Sequence, residues 1–171
     1  FILDKAIPPL HIFGNLKDAE LASRAHQKNI IPVVKQAIDN ANIAKKDIDA
    51  IAYTKGPGLL GSLLVGGSFA KSLSIGLNIP LIEVHHMQAH ILSHFIYDEN
   101  KKKSGFPFLG VNISGGHTQI LSCNDYFDME IIGETLDDSI GEAFDKCGKI
   151  LGLDYPAGPA IDKLSKKGIK N

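Results

Sequence analysis

The sequence has no tryptophan and only two cysteines, Cys123 and Cys147, in 171 residues. Two thiols so far apart form neither a CxxC redox pair nor a metal-binding set, and no disulfide framework can be built from them. So few cysteines fit a reducing cytoplasm. A charge excess is also lacking, since 18 Lys plus Arg face 19 Asp plus Glu for a formal net charge of -1. That balance excludes a dedicated nucleic-acid coat and leaves room only for a local basic patch. No uninterrupted apolar run reaches the ~20 residues of a membrane span, so no membrane association is expected. The opening Phe1-Ile2-Leu3-Asp4-Lys5 has no initiator Met and no basic region leading into an apolar one, hence no visible targeting segment. The missing Met and the abrupt lysine-rich end suggest a piece of a longer protein.

What is present is ordinary globular material. Hydrophobic residues make up 44% and charged ones 22%, enough to bury the core of one domain or slightly more. Residues Phe1 to Asn15 show no period and read as a lead-in. Asp18 to Ala41 carries a helical apolar stripe (Leu21, Ala25, Ile30, Val33, Val34, Ala37, Ile38) with Asp18 as N-cap. Pro32 inside it predicts two shorter helices or a kink near Ile31. Asp49 to Thr54 reads as a strand, broken by Lys55-Gly56-Pro57-Gly58, before a helix rich in small residues from Gly61 to Leu77. Small side chains there let another backbone approach closely. Ile79 to Val84 is a buried strand, followed by a histidine-bearing helix to about Phe95. Asp98 to Gly105, with Lys101-Lys102-Lys103, reads as a solvated loop.

Phe106 to Asn112 and Thr118 to Cys123 are strands joined through Ser114-Gly115-Gly116-His117, a hairpin signal, and Met129 to Ile132 suggests a third. Asp138 to Leu151 is helical, and Pro159 suits the first turn of a last short helix. Strands alternating with helices, plus a hairpin, predict an α/β fold with mixed sheets.

Four stretches carry chemistry. If the run after Val84 is helical, His86 and His90 share a face, where two imidazoles can reach one metal ion. Such a pair taken alone is more often just two polar side chains, and His94 permits a His90/His94 pairing instead. Proximity to the strand end favours His86 and His90. Met87 stands where an HExxH hydrolase needs its glutamate, so that chemistry is not supported. The Ser114–Thr118 stretch is either an anion cradle of glycine N–H groups or a plain hairpin turn. Lys55–Ser62 lacks the endings of a P-loop or a Rossmann fingerprint and reads as a tight strand-to-helix connection. Among the carboxylates Asp137, Asp138, Glu142 and Asp145, dipole complementarity and a Glu142–Lys146 pair explain most, leaving Asp145 as the candidate ligand contact.

The order of these motifs is more specific than any one of them. Glu20-Leu-Ala-Ser-Arg-Ala-His26, Gly56-Pro-Gly-Leu-Leu-Gly-Ser-Leu-Leu-Val-Gly66, His86-Met-Gln-Ala-His90, Ser114-Gly-Gly-His-Thr-Gln119, Gly141-Glu-Ala-Phe-Asp-Lys146 and Gly152-Leu-Asp-Tyr-Pro156 together resemble the bacterial TsaD family, once called O-sialoglycoprotein endopeptidases. The resemblance runs from about Glu20 to at least Asp162. It implies an actin/sugar-kinase/Hsp70-like (ASKHA) fold, incomplete at both ends, with 1–105 as most of a first lobe and 106–171 as the start of a second. It implies a metal-dependent acyltransferase, N6-L-threonylcarbamoyladenine synthase. Such an enzyme moves threonylcarbamoyl from threonylcarbamoyl-AMP, itself derived from ATP, to N6 of adenosine 37 in ANN-decoding tRNAs. It further implies TsaB-like and TsaE-like partners.

Carried over by position, His86 and His90 match the family's metal histidines, usually assigned Fe2+, with Zn2+ or another divalent ion conceivable in purified protein. Asn112, Ile113, Ser114, Gly115 and Gly116 match the segment contacting the adenylate, and Asp145, Gly158 and Asp162 match further substrate contacts. No nucleophile or general base is evident, so no catalytic residue is assigned. Some family features are not found. The Asp-Asp-Thr phosphate loop is absent before Glu20, and Gly14-Asn15-Leu16-Lys17-Asp18-Ala19 replaces a Gly-Gly-Val-Val-Pro approach. The third metal ligand (Asp) and a nucleotide-binding Asn are expected beyond Asn171, and Ala157 stands where glycine is common. The expectation is therefore weak metal and adenylate binding and no transfer by these residues alone. A glycoprotein metalloendopeptidase and a non-catalytic nucleotide-binding or assembly module, packing a TsaB-like partner on the small-residue helix, are the alternatives.

Overall fold

The computed structural model describes residues 16–96 and 105–169. The lead-in at 1–15 and the lysine triplet of the 98–105 loop lie outside the described residues. Contacts divide the chain into two units, Phe1–His86 and Met87–Asn171.

The first unit holds α1 (Leu16–Ala41), β1 (Ile51–Gly56), α2 (Leu60–Leu77) and β2 (Leu81–His85). β1 and β2 pair in parallel, with Ile51 opposite Leu81 and Thr54 opposite Val84. A parallel pair needs a crossover, and α2 supplies it. α1 is one continuous helix through Pro32, not the two shorter helices that were one of the expectations. The proline ring forgoes one backbone bond, at roughly 3 kcal/mol. Val33, Val34, Ala37 and Ile38 lie half-buried on the side toward β1 and α2.

Two glycines of α2 are used inside this unit. A Cβ on Gly61 would lie 2.8 Å from Ser23 Cβ on α1, and one on Gly67 would lie 3.3 Å from the Tyr53 ring on β1. The helix closes at Asn78 in the left-handed region (φ 53°), whose N–H bonds the Ile75 and Ser74 carbonyls. By length and composition α2 is long and apolar enough to cross a membrane. Its buried Gly67 and Ala70 serve as an internal packing seam.

The second unit takes most of α3 (His86–Leu92), which continues as a 3-10 turn over Ser93–Phe95. An antiparallel meander follows, ordered β3 (Phe108–Ile113), β4 (Thr118–Cys123) and β5 (Met129–Glu134). Alternation along β4 buries Gln119, Leu121 and Cys123 on one face. Ile91 from α3 joins Leu121 and Cys123 in the core, with Phe106, Phe108 and Met129 packed against it. This packing explains why α3 groups with the strands that follow it. Gly110 permits it, because a Cβ there would lie 2.6 Å from Ile91 Cδ1. Phe95 stacks on Phe106 at 5.0 Å and meets Tyr126 edge-on, closing one end of the core. α4 (Ile140–Ile150) and α5 (Ala157–Ser165) pack against each other, with Pro159 in the first turn of α5 as expected.

Candidate functional site

His86 and His90 are the first and fifth residues of α3, one helical turn apart. His86 is half-buried and His90 exposed, whereas Met87 between them is 3% exposed. The residue at the position of a hydrolase glutamate is thus a core side chain. Among the described residues no group of three or more His, Cys, Asp or Glu side chains is gathered around a common point. Two imidazoles one turn apart suit a borderline divalent ion as part of a ligand set and do not complete one.

Asn112 is 6% exposed, and its side-chain N–H donates to the Met87 carbonyl at 3.2 Å. The strand preceding the glycine loop is thereby tied to the first turn of α3. Ile113, the last residue of β3, is exposed. Ile113 then pairs with Thr118 across a four-residue hairpin loop, closed by the Ser114 N–H to the His117 carbonyl at 2.9 Å.

The loop's own donors are largely occupied. The Gly116 and His117 N–H groups donate to Ser114 Oγ at 3.3 and 2.9 Å, and Ser114 N–H is held by His117. Of the two sequence readings, the geometry is that of a hairpin with an internal serine turn, not a ring of N–H groups aimed at an anion. Its open side is the glycine face, where nothing lies within 4 Å of a Cβ built on Gly115 or Gly116. A flat ligand can approach the backbone closely there.

The first turn of α4 abuts the other side of this loop. Ser139 caps the helix by accepting from Glu142 N–H at 3.2 Å, and its hydroxyl donates to the Gly115 carbonyl at 2.8 Å. Ile140 N–H donates to Thr118 Oγ1 at 2.9 Å and Gly141 N–H to the Ser114 carbonyl at 3.2 Å. The sequence alone puts the helix start at Asp138 and assigns no role to Ser139 or Gly141. The signal was there in Ser139-Ile-Gly-Glu142, an S-x-x-E cap pattern. The expected Glu142–Lys146 pair forms at 3.2 Å, and Lys146 also reaches Asp138. Those two carboxylates, Asp138 first, raise the Lys146 ammonium above its usual 10.5.

Asp145 Oδ1 accepts from the Ala157 N–H at 2.7 Å, so this carboxylate caps α5. Burial, then the Asp145 charge, pushes the nearby Tyr155 phenol above its usual 10.0. Gly158 lies half-buried in the first turn of α5, while Asp162 is exposed one turn on and pairs with Lys166 at 2.8 Å. The structure thus connects Asn112 to Met87, Ser114 and Gly115 to α4, and Asp145 to the start of α5. Among the described residues, the Asp162 carboxylate bonds Lys166 rather than any of these. A separate cavity of about 510 Å³ lies in the first unit among Val33, Ile51, Tyr53, Leu63 and Phe69, and none of the candidate residues lines it.

A family profile described as TsaD, tRNA N6-adenosine threonylcarbamoyltransferase, matches residues 19–171. The chain belongs to the TsaD family. It is 68% identical over 149 residues to the tRNA N6-adenosine threonylcarbamoyltransferase of Christiangramia forsetii, covering 87% of this chain and 44% of that protein. To the protein of the same name from Riemerella anatipestifer it is 66% identical over 152 residues, covering 89% and 45%. The Porphyromonas gingivalis counterpart is 57% identical over 151 residues, covering 87% and 44%. The chain therefore spans a little under half the length of these TsaD relatives. Its mixed parallel and antiparallel pairing agrees with the α/β ASKHA class expected for the family. Among solved structures, YeaZ from Pseudomonas aeruginosa aligns at a TM-score of 0.43 and 21% identity, over 64% of this chain and 52% of that one, too loosely to carry an argument.

Proposed function

We propose that this chain carries the metal-histidine and adenylate-contacting part of a tRNA threonylcarbamoyltransferase, whose whole protein transfers threonylcarbamoyl from threonylcarbamoyl-AMP to N6 of adenosine 37. The observation that carries this reading is the family match across residues 19–171, which includes α3, the β3–β4 loop and both helices that follow. His86 and His90 would hold an Fe2+ ion, which as a Lewis acid would polarise the carbamoyl oxygen and orient that end of the substrate. The chain's own residues bind and position. The open Gly115–Gly116 face accepts the nucleotide by close backbone approach, and Ser114 fixes the loop's shape from within. Asn112 keeps that loop in register with the helix bearing the histidines. Asp145 offers its second carboxylate oxygen to the ligand while the first caps α5. TsaB-like and TsaE-like proteins and ANN-decoding tRNA are the proposed partners, in the cytoplasm.

The buried Met87 disfavours the metalloendopeptidase alternative, since that position turns into the core. Metal analysis and calorimetry test the reading on the purified chain. Wild type is expected to retain a divalent metal that His86→Ala and His90→Ala each lose, and to bind threonylcarbamoyl-AMP weakly. Gly116→Ala, which fills open space, is expected to fold normally and weaken that binding. Unchanged metal content in both histidine variants, or equal adenylate binding by Gly116→Ala, contradicts it.

A further inference from the structure

Gly141 occupies the second position of α4, where glycine costs about 1 kcal/mol relative to alanine. The reason for a glycine there is contact with backbone. A Cβ on Gly141 would lie 2.6 Å from the Ser114 carbonyl oxygen, 2.7 Å from Gly115 Cα and 2.9 Å from Gly115 N. Backbone atoms cannot swing aside as the end of a side chain can, so the loop or the helix must shift. The hydrogen bonds agree with this contact. Of the donors in the first turn of α4, Gly141 and Ile140 bond the hairpin, Glu142 bonds the cap, and the cap's own hydroxyl bonds Gly115. A helix start so occupied is not a vacant anion site. It is a clamp on the loop.

We infer that Gly141 and Ser139 are positioning residues: they hold the Ser114–Gly116 backbone from behind and so set the glycine face presented to the ligand. This deepens the reading that the loop contacts the adenylate, and rests on it for the ligand. Ser139 acts through two bonds, which couple the cap of α4 to the Gly115 carbonyl. A conservative threonine keeps both, whereas alanine removes both.

The test is NMR on the 171-residue chain with threonylcarbamoyl-AMP as titrant, for wild type, Gly141→Ala, Ser139→Ala and Ser139→Thr, with circular dichroism confirming the fold of each. Gly141→Ala and Ser139→Ala are expected to speed amide exchange at Gly116 and His117 on the order of tenfold. They are expected to weaken adenylate binding about tenfold or more. Ser139→Thr is expected to restore both. Unchanged loop exchange in folded Gly141→Ala overturns the clamp. Faster loop exchange with wild-type adenylate affinity also overturns its positioning role. If wild type fails to bind the adenylate while loop exchange rises as expected, the clamp stands and the adenylate reading falls. Should Gly141→Ala fail to fold, the Ser139 alanine and threonine pair decides by the same criteria.

Discussion

Asn112 on β3 donates a hydrogen bond to the carbonyl of Met87, the residue between His86 and His90 in sequence, and does so 94% buried from solvent by residue exposure of 6%. A buried amide with a partner is stabilising, and one without is costly. The bond fixes the depth of α3 against the sheet, with Ile91 and Cys123 packing one turn further along. Asn112→Ala is expected to destabilise the chain by about 1 kcal/mol, read by urea unfolding. An unchanged midpoint would show that the bond fixes nothing.

Gly148 is required by Ala157. A Cβ on Gly148 would lie 2.0 Å from Ala157 Cβ, which is itself 1% exposed between α4 and α5. Gly148→Ala is expected to cost about 1–3 kcal/mol through overpacking. Adding Ala157→Gly should recover part of it, since the next atom, Ala157 Cα, is 3.4 Å away. Thermal unfolding of the two single variants and the double variant checks this, and strict additivity would contradict it.

Asp145 has one observed role, accepting from Ala157 N–H, and one proposed role at the adenylate, and different substitutions separate them. Asp145→Ala removes the cap on Ala157 N–H and is expected to lower stability by about 0.5–2 kcal/mol. Asp145→Asn keeps an acceptor oxygen, so its stability should stay near wild type while its affinity for the adenylate falls. Equal stability for both variants would sink the capping role.

The Lys55–Glu83 pair gives a pH signature. Lys55 Nζ reaches Glu83 Oε2 at 2.6 Å, and Tyr53 OH donates to Glu83 Oε1 at 3.0 Å. The bond from Lys55, followed by that from Tyr53, holds Glu83 below its usual 4.5. The same bond raises Lys55 above its usual 10.5, and burial followed by the Glu83 bond raises Tyr53 above 10.0. A depressed carboxylate contributes stability above its unfolded value and loses it as pH falls through the folded one. The raised Lys and Tyr contribute fully below their unfolded values and lose it as pH rises through the folded ones. Wild type should therefore exceed Glu83→Gln in Tm between roughly pH 5 and 10, by a small margin that about 1 M salt removes. A margin that persists at low pH or high salt would contradict the charge-based account.

Much of this architecture was legible because it follows local rules. The periods of 3.6 and 2 marked most of the longer helices and strands, Pro159 marked the last helix, and Gly115-Gly116 marked the hairpin. What was not legible depended on contacts between distant segments. Pro32 reads locally as a break or a kink, yet α1 runs continuously from Leu16 to Ala41. Ile91 places α3 with the following strands, a choice that periodicity cannot make. The candidate site divided the same way. His86, His90 and the loop were visible as residue types at spacings, whereas Gly141 was visible only as a motif glycine, its role set by the Ser114 and Gly115 backbone against it. Asp145 stood out among four carboxylates as a ligand candidate, whereas its bond to Ala157 N–H, twelve residues away, was not legible.

We propose that this chain belongs to a protein that modifies tRNA. The most direct measurement supplies threonylcarbamoyl-AMP, unmodified ANN-decoding tRNA, Fe2+ and the TsaB-like and TsaE-like proteins, and quantifies N6-threonylcarbamoyladenosine by mass spectrometry of the digested tRNA. The whole gene product is expected to form the modified nucleoside and its His86→Ala variant to form almost none, while residues 1–171 alone form none. No product from the whole protein, undiminished product from His86→Ala, or transfer by the 171 residues alone would contradict the account.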